Sequence, residues 1–239
     1  MDQLWLSFVQ WLHSLGLHID AGTAQVLADG AARATQRLDM PALLALAAAL
    51  GWASGIRLYA VVFLVGGMGA LGWLALPESL AVLQHPAVLM ASGFMLLVEF
   101  FADKVPLLDS LWDGVHAFIR VPAGALLAAG VFGADNASMA VVAGLLGGTL
   151  SATALATKMT ARAAANTSPE PFSNWGLSFM EDGLTVGAVW LATQHPVAFG
   201  FALVVALVLS VLLLVLLFKF LRAVLRRVSS LFSASAKVA

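Results

Sequence analysis

Between Pro196 and Phe218 the chain reads PVAFGFALVVALVLSVLLLVLLF, without one ionisable side chain. About 20 consecutive apolar residues cross the ~30 Å hydrocarbon layer of a bilayer as an α-helix, so such a run reads as a membrane span. Apolar stretches recur over 42–75, 87–103, 107–133, 137–160 and 173–193, separated by short polar gaps. Lipid offers no hydrogen-bond partner to the backbone, which favours helices that pair their own N–H and C=O groups. The fold expected is all-α: a polytopic bundle of six transmembrane helices. Composition agrees, with 61% hydrophobic residues, 10% charged and a mean hydropathy of +0.95, where soluble domains carry roughly a quarter charged residues.

Several classes drop out. A net charge of −1, with the basic residues gathered near the ends of apolar runs, argues against nucleic acid as a partner. The chain has no cysteine, which removes disulfides, thiolate metal sites and cysteine nucleophiles. Its start, MDQLWLSFVQWLHSLGLHID, lacks the basic region and long apolar core of a cleavable signal peptide. Leu4, Trp5, Phe8, Trp11, Leu12 and Leu15 share a helical face there, so residues 1–40 are expected to form an amphipathic segment at the cytoplasmic interface. The bundle then occupies 41–226, and 227–239 forms a flexible cytoplasmic tail.

Lys and Arg concentrate on the cytoplasmic side of membrane spans. With six crossings, Arg33, Arg37, Lys104, Lys158, Arg162, Lys219, Arg222, Arg226 and Arg227 all fall at one face, while the opposite loops 76–86 and 134–136 hold Glu78 and Asp135 and no Lys or Arg. Both termini are therefore expected in the cytoplasm, in a bacterial inner membrane. Three crossings on either side of the GADN turn give a 3+3 pattern whose halves would be inverted, as in many transporters. The first span contains GWASGIRLY and is expected to break near Gly51 to Gly55. Pro122 interrupts the third, leaving either one kinked helix or an interfacial helix followed by a re-entrant piece. The spacings Gly51/Gly55 and Gly144/Gly148 point to close helix packing, and such glycine-rich spans are compatible with a homo-oligomer.

Against this background the ionisable residues stand out. Glu99 and Asp103 are four apart and share a helical face; Asp109, Asp113, His116 and Arg120 follow at spacings of four, three and four, one continuous stripe. Glu181 and Asp182 lie about 12 Å inside the inner edge of their span at 1.5 Å per residue. Being adjacent, they point about 100° apart and are not expected to face one neighbour. Arg57 falls near mid-bilayer. A charge there costs at least ~2.5–3.5 kcal/mol on insertion scales, so each should be paired, protonated or hydrated. Setting Glu99, Asp103, Asp109, Asp113, Glu181 and Asp182 against the counter-charges Arg57, Lys104 and Arg120 leaves three formal negatives, which raised carboxylate pKa values or a bound cation would balance. Lys104 and Asp103 also fit snorkelling and capping at the interface, and the Asp109–Arg120 stripe also fits the wet face of a surface helix.

The inner loop AAANTSPEPFSNW adds Asn166 and Asn174 as neutral hydrogen-bonding candidates, with Ser173 a plausible N-cap. Oxygen ligation of a divalent cation, with His116, requires several of the acids to converge. Asp109 and Asp113 alone resemble half of the acidic apparatus of a Mg²⁺-dependent lipid-headgroup enzyme. No G-x-S-x-G elbow and no phosphate-cradling glycine loop is present.

The segments SGIRLY, EFFADKVPLLDSLWDGVHAFIRVPAGALLAA and NTSPEPFSNWGLSFMEDGLTVG, with their order E-x-x-x-D-K-x-P, D-x-x-x-D-x-x-H-x-x-x-R-x-P and S-N-W-x-x-S-x-x-E-D, resemble a bacterial integral-membrane family known as domain of unknown function 4126. The resemblance covers about residues 42–220. It implies a helical membrane protein and no particular chemistry.

Three functions are compatible with these residues. The leading expectation is a transporter or channel for a small cation or proton-coupled solute, with Glu99, Asp103, Asp109, Asp113, His116, Glu181 and Asp182 as the acidic site in the cytoplasmic half. The second is a membrane enzyme with a divalent ion at Asp109 and Asp113, and the third a noncatalytic scaffold using the polar stripe.

Overall fold

In a computed structural model the described residues are 39–105, 108–133, 136–166 and 171–235. Among them the protein is all-α, with no strand: α1 (Met40–Ala70), a 3-10 helix (Glu78–Gln84), α2 (Pro86–Ala102), α3 (Leu108–Gly130), α4 (Ala137–Ala165), α5 (Pro171–Gln194) and α6 (Pro196–Ser235). Each helix coincides with one of the apolar runs. The amphipathic start, apart from its last two residues, lies outside the described residues. Helix α6 continues through Ser235, into the stretch expected to be a flexible tail, because KFLRAVLRRVSS contains no glycine or proline to stop it.

Three helices are long and apolar enough to cross a membrane, α1, α4 and α6 (over Pro196–Lys219), or four if the 3-10 helix and α2, bent by 65°, form one span. The burial pattern suggests a membrane protein. Large apolar side chains face outward on every long helix, among them Met90, Phe94, Leu126, Leu145, Phe201 and Phe118, the last 85% exposed. Arg57, Glu99, Asp103, Asp109, Asp113, Arg120, Lys158, Arg162 and Glu181 are buried instead.

Helix α1 departs from the expected single crossing. Arg57 has φ −143° and ψ 82°, a break between two helical halves, two residues beyond the glycines expected to provide it. Before the break, Gly51 lies against Gly147, Gly55 against Ser151 and the Ile56 carbonyl against Lys158, so this half runs parallel to α4. After it, Arg57 lies against Asp103, Phe63 against Gly93 and Gly66 against Leu89, so the second half runs antiparallel to α2. Helix α3 is antiparallel to both α2, through Arg120 with Glu99, and α4, through Arg120 with Ser151 and Ala129 with Gly144; α2 and α4 are thus parallel to each other. The two halves of α1 therefore run in opposite directions. Helix α1 is a helical hairpin with Arg57 at its tip and both ends at the same end of the bundle, next to the start of α4.

Small residues make this geometry reachable. A Cβ on Gly51 would sit 2.5 Å from the Gly147 Cα, and one on Gly55 would collide with the Ser151 carbonyl, so the glycines serve close contact with α4 and not hinging. Asp39 caps the first half by accepting from the Ala42 N–H at 3.0 Å. Helix α3 is one helix through Pro122, and the Arg120 carbonyl next to it accepts from the Ser151 hydroxyl at 3.0 Å. Ser79 on the 3-10 helix donates to the Gly130 carbonyl at the far end of α3.

The absence of native cysteine allows a direct check by single-cysteine labelling with a membrane-impermeant thiol reagent. Met40→Cys and Glu78→Cys should be labelled from the same side and Arg222→Cys from the other; Met40→Cys labelled with Arg222→Cys instead would mean that α1 crosses once.

Candidate functional site

The tip of the hairpin enters a cluster built by four helices that end or begin at that side: the C-terminal part of α2, the N-terminal part of α3, the C-terminal part of α4 and the N-terminal part of α5. Glu99, Asp103, Asp109, Asp113, Arg57, Arg120 and Arg162 are fully buried, Lys158 and Glu181 nearly so, and the Asp182 side chain is 31% exposed. The Asp109–Arg120 stripe is therefore interior, and its opposite face, Leu111, Val115, Phe118 and Ile119, is the outward one.

Arg57 reaches three carboxylates. Its Nη2 is 3.0 Å from Asp103 Oδ2 and 3.8 Å from Glu181 Oε2, and its Nε is 2.7 Å from Asp182 Oδ1. The expectation that adjacent Glu181 and Asp182 face different neighbours fails here because a guanidinium is wide enough to meet both. Nη2 also donates to the Ser178 hydroxyl at 2.8 Å, one turn before Asp182. Arg120 bridges α3 to α2, with Nη1 2.6 Å from Asp113 Oδ1 and Nη2 2.5 Å from Glu99 Oε1.

Two further cations come from α4, where charge counting had assigned them to the cytoplasmic rim. Arg162 holds Glu181 through both oxygens, Nε to Oε1 at 3.0 Å and Nη2 to Oε2 at 2.8 Å, a fork that fits a carboxylate in one plane. Its Nη1 donates to the Asp103 carbonyl at 2.6 Å, closing the turn after α2. Lys158 Nζ lies 3.0 Å from Asp113 Oδ1, 3.4 Å from Glu181 Oε2, 3.5 Å from Asp103 Oδ2 and 3.8 Å from Glu99 Oε1, and donates to the Ile56 carbonyl at 3.2 Å. That carbonyl belongs to the last turn before the break, where helical partners run out.

Lys104, expected as a counter-charge, is turned away from this cluster. Its ammonium lies 2.8 Å from the centroid of the Phe100 ring and donates to the Phe100 carbonyl at 3.1 Å. Partial burial, then the nearby Arg57, lowers its pKa from the ordinary lysine value. His116 is also apart from the acids: it stacks on Trp112 with centroids 4.0 Å apart, meets Tyr59 edge-on at 5.8 Å, and contacts the Trp112 carbonyl through Nδ1 at 2.8 Å.

Asn166 and Asn174 join the network from the inner side. Asn174 Nδ2 donates to Asn166 Oδ1 at 2.7 Å, and Asn166 Nδ2 donates to both oxygens of Asp109 at 3.1 and 3.2 Å. Helix α5 begins at Pro171, so Ser173 lies within its first turn. Asp109 is thus held by Asn166 and, at 3.7 Å, Arg162, while Asp113 is held by Arg120 and Lys158. These two acids do not converge, and among the described residues no group of three or more His, Asp or Glu could hold a metal ion.

Six carboxylates, Glu99, Asp103, Asp109, Asp113, Glu181 and Asp182, thus meet four cations, Arg57, Arg120, Lys158 and Arg162, a formal excess of two negatives. Glu99 Oε2, Asp103 Oδ1 and Asp113 Oδ2 are buried without a hydrogen-bond partner among the described residues.

The family model for the domain of unknown function DUF4126 matches residues 44–217, which include every member of the cluster. The chain belongs to this family. The motif-based resemblance was correct, and in the DUF4126 fold as this chain presents it, the three motif segments are the hairpin tip, the α2–α3 corner and the start of α5. No curated protein and no solved structure matches the chain.

Removing one partner of a buried ion pair costs about 3–5 kcal/mol because the other charge stays behind. Arg162→Met should therefore sharply lower the thermal stability and folded yield of the detergent-purified protein. Lys104→Met should leave both nearly unchanged; equal effects of the two substitutions would refute the partition between cluster and rim.

Proposed function

We propose that this DUF4126 protein is a multi-pass protein of a bacterial inner membrane that moves protons or a small cation through its buried charged cluster. In this reading α2 to α6 cross the bilayer, α1 re-enters it, and the basic end of α6, with Lys219, Arg222, Arg226 and Arg227, faces the cytoplasm. The 3+3 pattern counted α1 as one crossing and is not retained. The cluster then lies in the cytoplasmic half. The start of α1 then lies on the side opposite the basic end of α6.

The observation that carries the reading is the hairpin tip. Irregular backbone at membrane depth is tolerated only where protein or a wet cavity surrounds it, and broken helices whose ends meet charged side chains build the ion and substrate sites of transporters. Here the break delivers Arg57 and the Ile56 carbonyl to carboxylates that outnumber their partners. A cluster whose acids exceed its bases by two takes up protons or a cation readily. Asp182, the most exposed acid of the set, is the entry from the aqueous side.

The divergent partners of Asp109 and Asp113 and the burial of the Asp109–Arg120 stripe favour this reading over a divalent-metal enzyme acting on lipid headgroups and over a scaffold that presents the stripe.

Reconstitution into liposomes tests the proposal. The protein should carry protons or a monovalent cation down an imposed gradient, and Glu181→Gln, compared with the wild type at equal amounts of folded protein isolated by gel filtration, should reduce the rate by an order of magnitude. Protein-free rates from the folded wild type, or an unaffected variant, would refute it.

A further inference from the structure

The surroundings of Lys158 differ from those of the three arginines. Each arginine is engaged in directed pairs, with at least one contact of 2.8 Å or less. The ammonium of Lys158 instead has five oxygen neighbours from four segments of the fold, at 3.0 Å (Asp113), 3.2 Å (the Ile56 carbonyl), 3.4 Å (Glu181), 3.5 Å (Asp103) and 3.8 Å (Glu99). Four of these are carboxylate oxygens and one is a backbone carbonyl exposed by a broken helix. That donor set is the one expected around an alkali or ammonium ion held between discontinuous helices. The distances are too long for Mg²⁺ at 2.0–2.1 Å or Ca²⁺ at 2.3–2.6 Å, and they match the reach of an N–H donor.

A second observation is independent of the ion pairs. Three of the four acids, Glu99, Asp103 and Asp113, each fully buried, keep a second carboxylate oxygen without a hydrogen-bond partner among the described residues. The acids that surround the ammonium through Glu99 Oε1, Asp103 Oδ2 and Asp113 Oδ1 thus carry, on their other oxygens, acceptor capacity that no described side chain takes up. Its occupant is also tethered: Lys158 reaches the cage on a flexible four-carbon stem from α4, with three rotatable donors and no fixed fork. A side chain of this kind can withdraw as a unit, whereas the forked arginines pin neighbouring helices to each other.

We propose that the oxygen cage around Lys158 Nζ is a binding site for a free monovalent cation of ammonium size, and that the Lys158 ammonium is its built-in competitor. Cation entry and Lys158 withdrawal are then one exchange, with the total positive charge of the cage unchanged. The role in transport rests on the reading above, but the cage and its ligand class do not require that transport occur.

The test uses the full chain in detergent, wild type and Lys158→Ala, with thermal unfolding followed in ammonium, methylammonium, sodium and tetramethylammonium chlorides at equal ionic strength. The variant should be destabilised in sodium and tetramethylammonium, and should recover by several degrees in ammonium. Methylammonium, which completes part of the missing stem, should do the same. The wild type, its cage filled, should unfold at the same temperature in all four salts. Recovery in no salt, equal recovery in all, the same ammonium effect in wild type, or no folded variant even when purified in ammonium would each overturn the proposal. Ammonium-selective recovery together with absent flux in liposomes would retain the cage and discard transport; flux without recovery would do the reverse.

Discussion

The arrangement depends on keeping a set of mutually compensating charges inside a bundle whose exterior is apolar. Arg57, at the point where α1 turns back, is fully buried and meets Asp103, Glu181 and Asp182 from two other segments. Desolvating an ion costs several kcal/mol even after relaxation, and the attraction of a partner offsets this only when geometry is good and spare donors are satisfied. The cluster meets that condition through its forks: Arg162 on Glu181, and Arg120 between Asp113 and Glu99. No apolar packing could hold α1 in a hairpin as specifically, because lipid tails compete equally for apolar contact.

The rest of the fold adapts to this core. The first half of α1 presses against α4 through Gly51 and Gly55, and α3 approaches the same crossing through Gly124, so three backbones converge where the break occurs. The orphan carbonyl at the break is taken by Lys158. A helix that breaks inside a bundle has to satisfy each backbone group it frees, and here a charged side chain that also belongs to the site does so. The hairpin and the cluster are therefore one connected feature.

The positions of all six helices were legible from apolar runs, as was the inward stripe Asp109, Asp113, His116 and Arg120 from its four-three-four spacing. The hairpin was not, because a helix that crosses and one that returns have the same hydropathy; only contacts such as Gly66 with Leu89 reveal the direction. Lys158 and Arg162 were misread as rim charges, although α4 carries Ser151, Leu155, Lys158 and Arg162 at the same four-three-four spacing, all buried. Positive residues near a span end ordinarily mark topology, and that rule obscured the periodic signal. His116 shared the stripe yet turned to Trp112 and Tyr59, since a helical face fixes direction but not the partner supplied by a neighbouring helix.

The central claim, that the hairpin tip is held by interior ion pairing, is tested most directly by a double-mutant cycle on Arg57 and Asp103, with Arg57→Met, Asp103→Leu and the double variant compared by unfolding in detergent. Groups in one buried network couple by about 0.5–3 kcal/mol. The account predicts that the double variant is more stable than the sum of the two single losses allows, by at least about 1 kcal/mol on that scale. Strict additivity would mean that the two charges do not meet, and would contradict it.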